Sequence, residues 1–289
     1  MPTYTLDGVS LDHPKGCWKL KKGTQRRPLP GIRSVHVTMP GRAGELPLVG
    51  LDHDATTLGL TFGLTGATPA GADGGHEQLE RNLEALAALV GVQHRLMSLK
   101  YQTGSIVRVA DVAFDSASDP DVNVGAARAR VSVIMRVPGV YWRGEVESTW
   151  AGSANAASQV VTPVAESTGP ITDAVLRWTG PAVNPRLVDV ATGGSIARPG
   201  GLLDGQRLLV DCATMRAAVV STDTWDLAAG SDVTGEIDAT GPGSAFRWLH
   251  LTPAVAVGDP HSRVVLITSS ATSTTGASGL EIRARHSYL

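Results

Sequence analysis

Residues 127–137 read Ala127-Arg128-Ala129-Arg130-Val131-Ser132-Val133-Ile134-Met135-Arg136-Val137, and this stretch decides the fold class. Small and apolar side chains fill Ala127, Ala129, Val131, Val133, Met135 and Val137, while Arg128, Arg130, Ser132, Ile134 and Arg136 take the alternate places. A period of two belongs to a strand whose successive side chains point to opposite faces, one onto a core and one into water. The segment therefore predicts a long strand with a mostly basic outer face. Pro138-Gly139 marks its end.

The same alternation recurs upstream. Leu58, Leu60, Phe62 and Leu64 share one face of a strand whose other face carries Thr57, Gly59, Thr61 and Gly63, and Val35, Val37 and Met39 oppose Ser34, His36 and Thr38. One segment breaks the rule: in His76–Val90 the residues Leu79, Leu83, Leu86 and Val90 recur at spacings of three and four, which predicts an amphipathic helix. Asp73 suits its start, Glu77 and Glu80 suit the positive end of its dipole, and Gly91 suits its exit. A lone helix of this length is marginal in water, so it has to pack on a sheet.

Downstream, Trp150 to Gly169 turns to Ala, Gly, Ser and Asn, which places a junction there. Short alternating strands follow at Ala174, Leu176 and Trp178, at Leu208, Val210 and Cys212, at Phe246, Trp248 and His250, and at Leu280, Ile282 and Ala284. Turn signals at 191–194, Asp204-Gly205 and 240–243 separate them, the pattern of a sandwich or jelly roll. Ser269 to Ser278 reads as an exposed loop between the last two strands. The 289 residues thus divide into a domain at 1–150, a linker at 151–169 and a second domain at 170–289, in keeping with domains of roughly 100–200 residues.

Composition sets limits. A chain that is 42% hydrophobic with 33 Gly and 17 Pro can build cores but needs many turns. A formal net charge of -2 gives no strong whole-chain attraction to nucleic acid or to an anionic membrane. The densest basic stretch, Lys19 to Arg27, holds five cations in nine positions and reads as a phosphate contact or as a solvated loop. The sequence has no run of about 18 apolar residues and opens without a basic region followed by an apolar one, so a soluble protein not exported by a cleaved signal is expected. Cys17 and Cys212 allow one bridge at most, and two reduced thiols are the simpler reading.

Candidate chemistry is sparse. Asp52-His53-Asp54 offers ligand and acid/base groups, but extended backbone turns His53 away from the two carboxylates. Asp12-His13 has no neighbour at ligand spacing, and Gly41-Arg42-Ala43-Gly44-Glu45 lacks the Gly-Lys-Ser/Thr ending of a phosphate loop. No Gly-x-Ser-x-Gly, His-Glu-x-x-His or Cys-x-x-Cys occurs, so no catalytic residue, metal or cofactor is expected. Trp178 and Trp248 read as core, whereas Trp142, Trp150 and Trp225 border loops and can stack on a sugar or a neighbouring subunit, with Trp225 the chosen candidate for a carbohydrate contact.

Taken together, the opening Leu6-Asp7-Gly8-Val9, the Trp18 segment, the Gly41-Arg42-Ala43-Gly44 loop, the strand at Leu58 to Leu64 and the lone helix resemble the N-terminal domain of siphophage distal tail proteins, also named minor tail proteins in phages of actinobacteria. Ile171-Thr172-Asp173-Ala174, the run from Trp178 to Pro185, and Leu203-Asp204-Gly205-Gln206 through Asp211-Cys212 look like that family's galectin-like C-terminal sandwich. The resemblance spans nearly the whole chain. It implies a mainly β protein: an N-terminal β-sandwich belt domain with one α-helix, then a C-terminal galectin-like or jelly-roll β-sandwich.

It further implies a non-enzymatic homohexameric ring at the virion tail tip, joining the tail tube to the baseplate or receptor-binding apparatus, in a protein made in the host cytoplasm. The partners implied are the other copies, the major tail (tube) protein, the tape measure protein and other tail-tip or receptor-binding proteins, with no membrane and with genome DNA only in transit through the lumen. Two competitors stand beside it. One is an adhesion module that recognises host-wall carbohydrate through Trp225; the other is a wall-degrading hydrolase with dispersed carboxylates such as Asp52, Asp111 and Asp115.

Overall fold

The alternation at 127–137 becomes the strand Arg128–Val137, in which every second residue from Ala129 to Val137 is buried and every residue between them is exposed. It begins one residue late because Ala127 sits in the left-handed region, at φ 46°. This strand pairs antiparallel with Thr56–Thr65 in a register that sets Ala129, Val131, Val133 and Met135 opposite Leu64, Phe62, Leu60 and Leu58. Two apolar rows are thereby placed on one face. A one-residue slip would turn every one of those side chains into water, which is why the register is firm.

The computed structural model describes residues 3–33, 41, 43 and 52–289, and the chain divides into two units, Met1–Glu145 with Leu289, and Val146–Tyr288. The strand expected at 34–39 and most of the loop expected at 41–45 lie outside the described residues.

In the first unit, Trp18–Leu20 adds to the free edge of Thr56–Thr65, and Thr3–Leu6 pairs with Met97–Thr103. The strand Ile106–Ala117 serves both groups: residues 106–112 pair with Met97–Thr103, and residues 113–117 pair with Arg128–Val137 across an irregularity between Ile134 and Met135. Bulges of this kind let one strand bend from one layer into another. Leu6, Leu58, Leu60, Phe62, Leu99, Val112 and Met135 are fully buried between them. Each such side chain contributes about 1.5–3 kcal/mol by leaving water.

The helix runs Gly75–Val90 and packs on Thr56–Thr65 and Arg128–Val137. Leu79, Leu86 and Val90 are buried and Leu83 is half-buried, as the spacing requires. Its start is held from one residue further out, where the Asp73 carboxylate accepts the Gly75 N–H at 3.0 Å. The periodicity hides one buried polar residue, Asn82, whose side-chain amide donates to the carbonyls of Thr65 and Ala67 at 2.8 Å each. These bonds moor the helix to the end of the strand.

The second unit is a sandwich of two antiparallel sheets. One carries Ser231–Asp232, Arg216–Val220, Arg207–Asp211, Val175–Thr179 and Gly279–Tyr288 in that order; the other carries Ala156–Val160, Leu266–Thr272, Ala182–Asp189, Ser195–Ala197 and Asp238–Thr240. Leu176, Trp178, Leu208, Val210, Leu280 and Ile282 from the first meet Leu187, Ile196, Ile267 and Ala271 from the second in one buried cluster.

Three expectations change here. The 151–169 stretch contains the strand Ala156–Val160 and buries Ala154, Val161 and Val164, so its small and polar composition reflects a sheet edge and tight turns instead of a linker. Phe246 to His250 forms turn and irregular backbone, with Phe246 exposed and Trp248 only half-buried, because the turns through Gly241 and Gly243 carry on into it. Ser269 to Thr272 belongs to the strand Leu266–Thr272, with Ser269 and Ala271 buried, so the exposed loop is confined to 273–278.

Candidate interaction surfaces

The acid and base groups singled out by sequence are dispersed. Asp52–His53 forms a two-residue strand against Ile32–Arg33, and Asp54 accepts the Arg33 guanidinium at 2.8 Å. His53 turns the other way and meets the Tyr141 ring edge-on at 5.9 Å. Asp12 accepts the Leu20 amide, while His13 accepts the Lys15 amide and meets the Trp18 ring edge-on, so both serve the local turn. Asp111 and Asp115 are exposed on Ile106–Ala117. Among the described residues, no three His, Cys, Asp or Glu side chains gather as metal ligands. Cys17 and Cys212 are free thiols buried in separate units, and burial raises the Cys212 thiol well above its usual range.

The tryptophans fall into place by unit. Trp142 is core in the first unit, near Tyr101, and Trp178 is core in the second, where Trp150 packs at the margin of the same cluster. Trp225 is half-buried over the outer face of Val175–Thr179 and Gly279–Tyr288. Its ring lies 4.4 Å from the Arg177 guanidinium and 4.3 Å from that of Arg283. Arg177 in turn binds Glu281 and Asp223, and Arg283 binds Glu147. The indole that sequence offered as a sugar platform is therefore held by two cations of its own chain, through the attraction of a guanidinium for an aromatic face. Asp223 and Trp225 precede the short helix Leu227–Ala229, and Arg177 is 104 residues from Glu281, so nothing in the sequence announced this cluster.

The first unit carries a different surface. The outer face of its sheet has a groove of about 860 Å³ whose lining includes Lys21, Lys22, Gly63, Thr65, Arg128 and Arg130. Register explains it. Lys19 stands opposite Gly63, and Gly63 stands opposite Arg130, so two cationic rows flank a strand with no side chain at its centre. The Lys21 stem lies across that glycine so closely that a Cβ at position 63 would come within 2.4 Å of its Cε. Lys19, Lys21, Lys22, Arg128 and Arg130 are all exposed, and among the described residues none of the five forms an ion pair. Arg130 uses one nitrogen to donate to the Lys22 carbonyl at 3.3 Å. The basic stretch at 19–27 and the arginines at 128–130 were each legible in the sequence; only the pairing of the strands joins them.

A second groove, of about 370 Å³, lies between the C-terminal half of the helix and the sheet, lined by Leu83, Leu86, Val90, Phe114, Val131 and Val133 among others. Its walls are apolar and continuous with the core of the first unit.

No protein-family model matches this sequence, and no curated protein matches it. Among solved structures, the chain is similar to the crystal structure of the SPP1 Dit protein, described as a paradigm of the hub adsorption apparatus in phages that infect Gram-positive hosts. The likeness has a TM-score of 0.63 and 15% identity, and it covers 100% of this chain and 100% of that one. Two structures of the phage P2 baseplate in its activated conformation, with Ca and with Sr, align over 99% of this chain and 98% of theirs at 9% identity, with a TM-score of 0.39.

Proposed function

We propose that this chain, which has the mainly β fold of a siphophage distal tail protein, is a structural component of a phage tail tip that works by assembly and not by turnover. The observation that carries this reading is that the likeness runs the full length of both chains. A likeness confined to one sandwich would mean little, because sandwiches of this kind host unrelated functions. Two successive units aligned in one order are a far more particular match.

In the finer reading, copies of the first unit close into a homohexameric ring between the tail tube and the receptor-binding apparatus, and the second unit projects as a docking module. A closed ring needs a head-to-tail contact between two different patches of identical subunits. The first unit offers two distinct patches in its basic groove and the exposed acidic face of its helix, which supports the reading.

Immunogold labelling of virions with an antibody to this chain tests the proposal. Gold confined to the tail end distal to the capsid is the expected result. Gold on the capsid, or virions free of the protein while infected cells contain it, would overturn the assignment.

A further inference from the structure

We infer that the basic groove of the first unit is the socket for the acidic helix face of a second copy of this chain. The inference rests on the ring reading and gives that ring a contact.

The groove occupies the outer face of the sheet, where Lys19, Lys21, Lys22, Arg128 and Arg130 lie together and unpaired by any carboxylate of the described residues. Neighbouring strands stand about 4.8 Å apart, so the backbones bearing Lys19 and Arg130 are roughly 10 Å apart across Gly63. That gap admits a row of side chains. Holding several like charges side by side on a rigid sheet costs free energy unless a partner or salt neutralises them.

The opposite face of the same sheet carries the helix, since Leu83, Leu86 and Val90 share a groove with Val131 and Val133, the inward residues of Arg128–Val137. With Leu79, Leu86 and Val90 turned inward, Glu77, Glu80 and Glu84 recur at spacings of three and four on the far side of the helix, and all three are exposed. Arg81 is tied to Glu77 at 2.5 Å and His76 lies 3.9 Å from Glu80, so the three carboxylates still outnumber the basic groups beside them. One unit thus presents cations on one side and carboxylates on the other.

A surface of this kind cannot satisfy itself through a two-fold contact, which would bring like charges together. It can do so head to tail, each groove receiving the helix of the next copy, and a fixed rotation per step then closes a ring. Duplex DNA is the rival occupant. The groove belongs to a chain of net charge -2, which offers duplex DNA no long-range attraction and favours a local acidic protein surface as the occupant.

The test is a charge-reversal cycle on the full chain, read by sedimentation at several protein concentrations and two salt concentrations, with far-UV circular dichroism to check folding. Lys21→Glu with Arg130→Glu, and separately Glu77→Lys with Glu80→Lys and Glu84→Lys, are each expected to weaken self-association by about tenfold or more. Combining the two sets restores assembly, and high salt weakens the wild type. Unchanged assembly in either reversed protein, or no recovery in the combination, overturns the inference while leaving the ring reading standing. A wild type that never assembles removes the ring reading itself. Retention of a short DNA duplex by the wild type, abolished by Arg130→Glu with self-association unaffected, would reassign the groove to nucleic acid.

Discussion

The two units differ in what their clustered cations face. In the second, Arg177 is nearly buried between Glu281 and Asp223 under Trp225, Arg198 binds Glu236 at 2.7 Å, and Arg283 binds Glu147. In the first, Arg33, Arg95 and Lys100 are paired in the same manner, yet Lys21, Lys22, Arg128 and Arg130, the four cations lining the groove, have no carboxylate partner among the described residues. Ion pairs closed within a unit rigidify its own loops. A cluster left open is a surface free to meet something else, which is why the proposal puts the assembly face on the first unit.

Mutations sharpen or break this contrast, and the core substitution sets the scale. Phe62 is fully buried in the strand that floors the groove, and Phe62→Ala is expected to cost about 3–5 kcal/mol in urea unfolding. Arg177→Ala leaves Glu281 without its cation and Asp223 with only Arg207 at 3.7 Å, and is expected to cost about 2 kcal/mol, moderated because Asp223 is largely exposed. Trp225→Ala removes two cation–ring contacts and should cost about 1–2 kcal/mol. Arg130→Ala, the same kind of change made in the groove, should leave the unfolding midpoint unmoved. If Arg130→Ala destabilises as much as Arg177→Ala, the contrast between the units is wrong.

Acidity gives the smallest effects, with opposite signs at Asp7 in the first unit and Asp189 in the second. The Arg95 guanidinium beside Asp7 holds that carboxyl below its usual value of 3.8, so the stability it contributes is present at neutral pH and is lost as pH falls through the lowered value. Asp189 is buried, and desolvation raises its carboxyl above 3.8 despite hydrogen bonds from Thr192 and the Thr252 amide. Its contribution is greatest below 3.8 and is lost as pH rises through the raised value. Melting temperatures measured down the pH scale should show Asp7→Asn flattening the acid limb and Asp189→Asn removing a cost present at neutral pH. The same direction in both variants would contradict this assignment of causes.

Much of the first unit was legible because its strands are long and each buries one face: Thr56–Thr65 and Arg128–Val137 repeat the period-two pattern almost without exception. The helix was legible for the corresponding reason at its own period. The second unit was harder to read. Its strands are mostly short, so a few alternating residues such as Phe246, Trp248 and His250 imitate a strand that the turn-rich neighbourhood of Gly241 and Gly243 does not form. The strand Ala156–Val160 was missed because an edge strand of small polar residues has the composition of a loop. The candidate surfaces depend on register and long-range pairing. Lys19 meets Arg130 only through Gly63, and Trp225 meets Arg177 and Arg283 only through the fold, which no local pattern encodes.

The central claim, that this chain acts by self-assembly, is tested most directly by the mass of the wild-type protein in solution. Native mass spectrometry across a concentration series should show the 30.0 kDa chain giving way to a closed hexamer with little of intermediate size. A single species at the monomer mass, at every concentration and at low salt, would contradict the account.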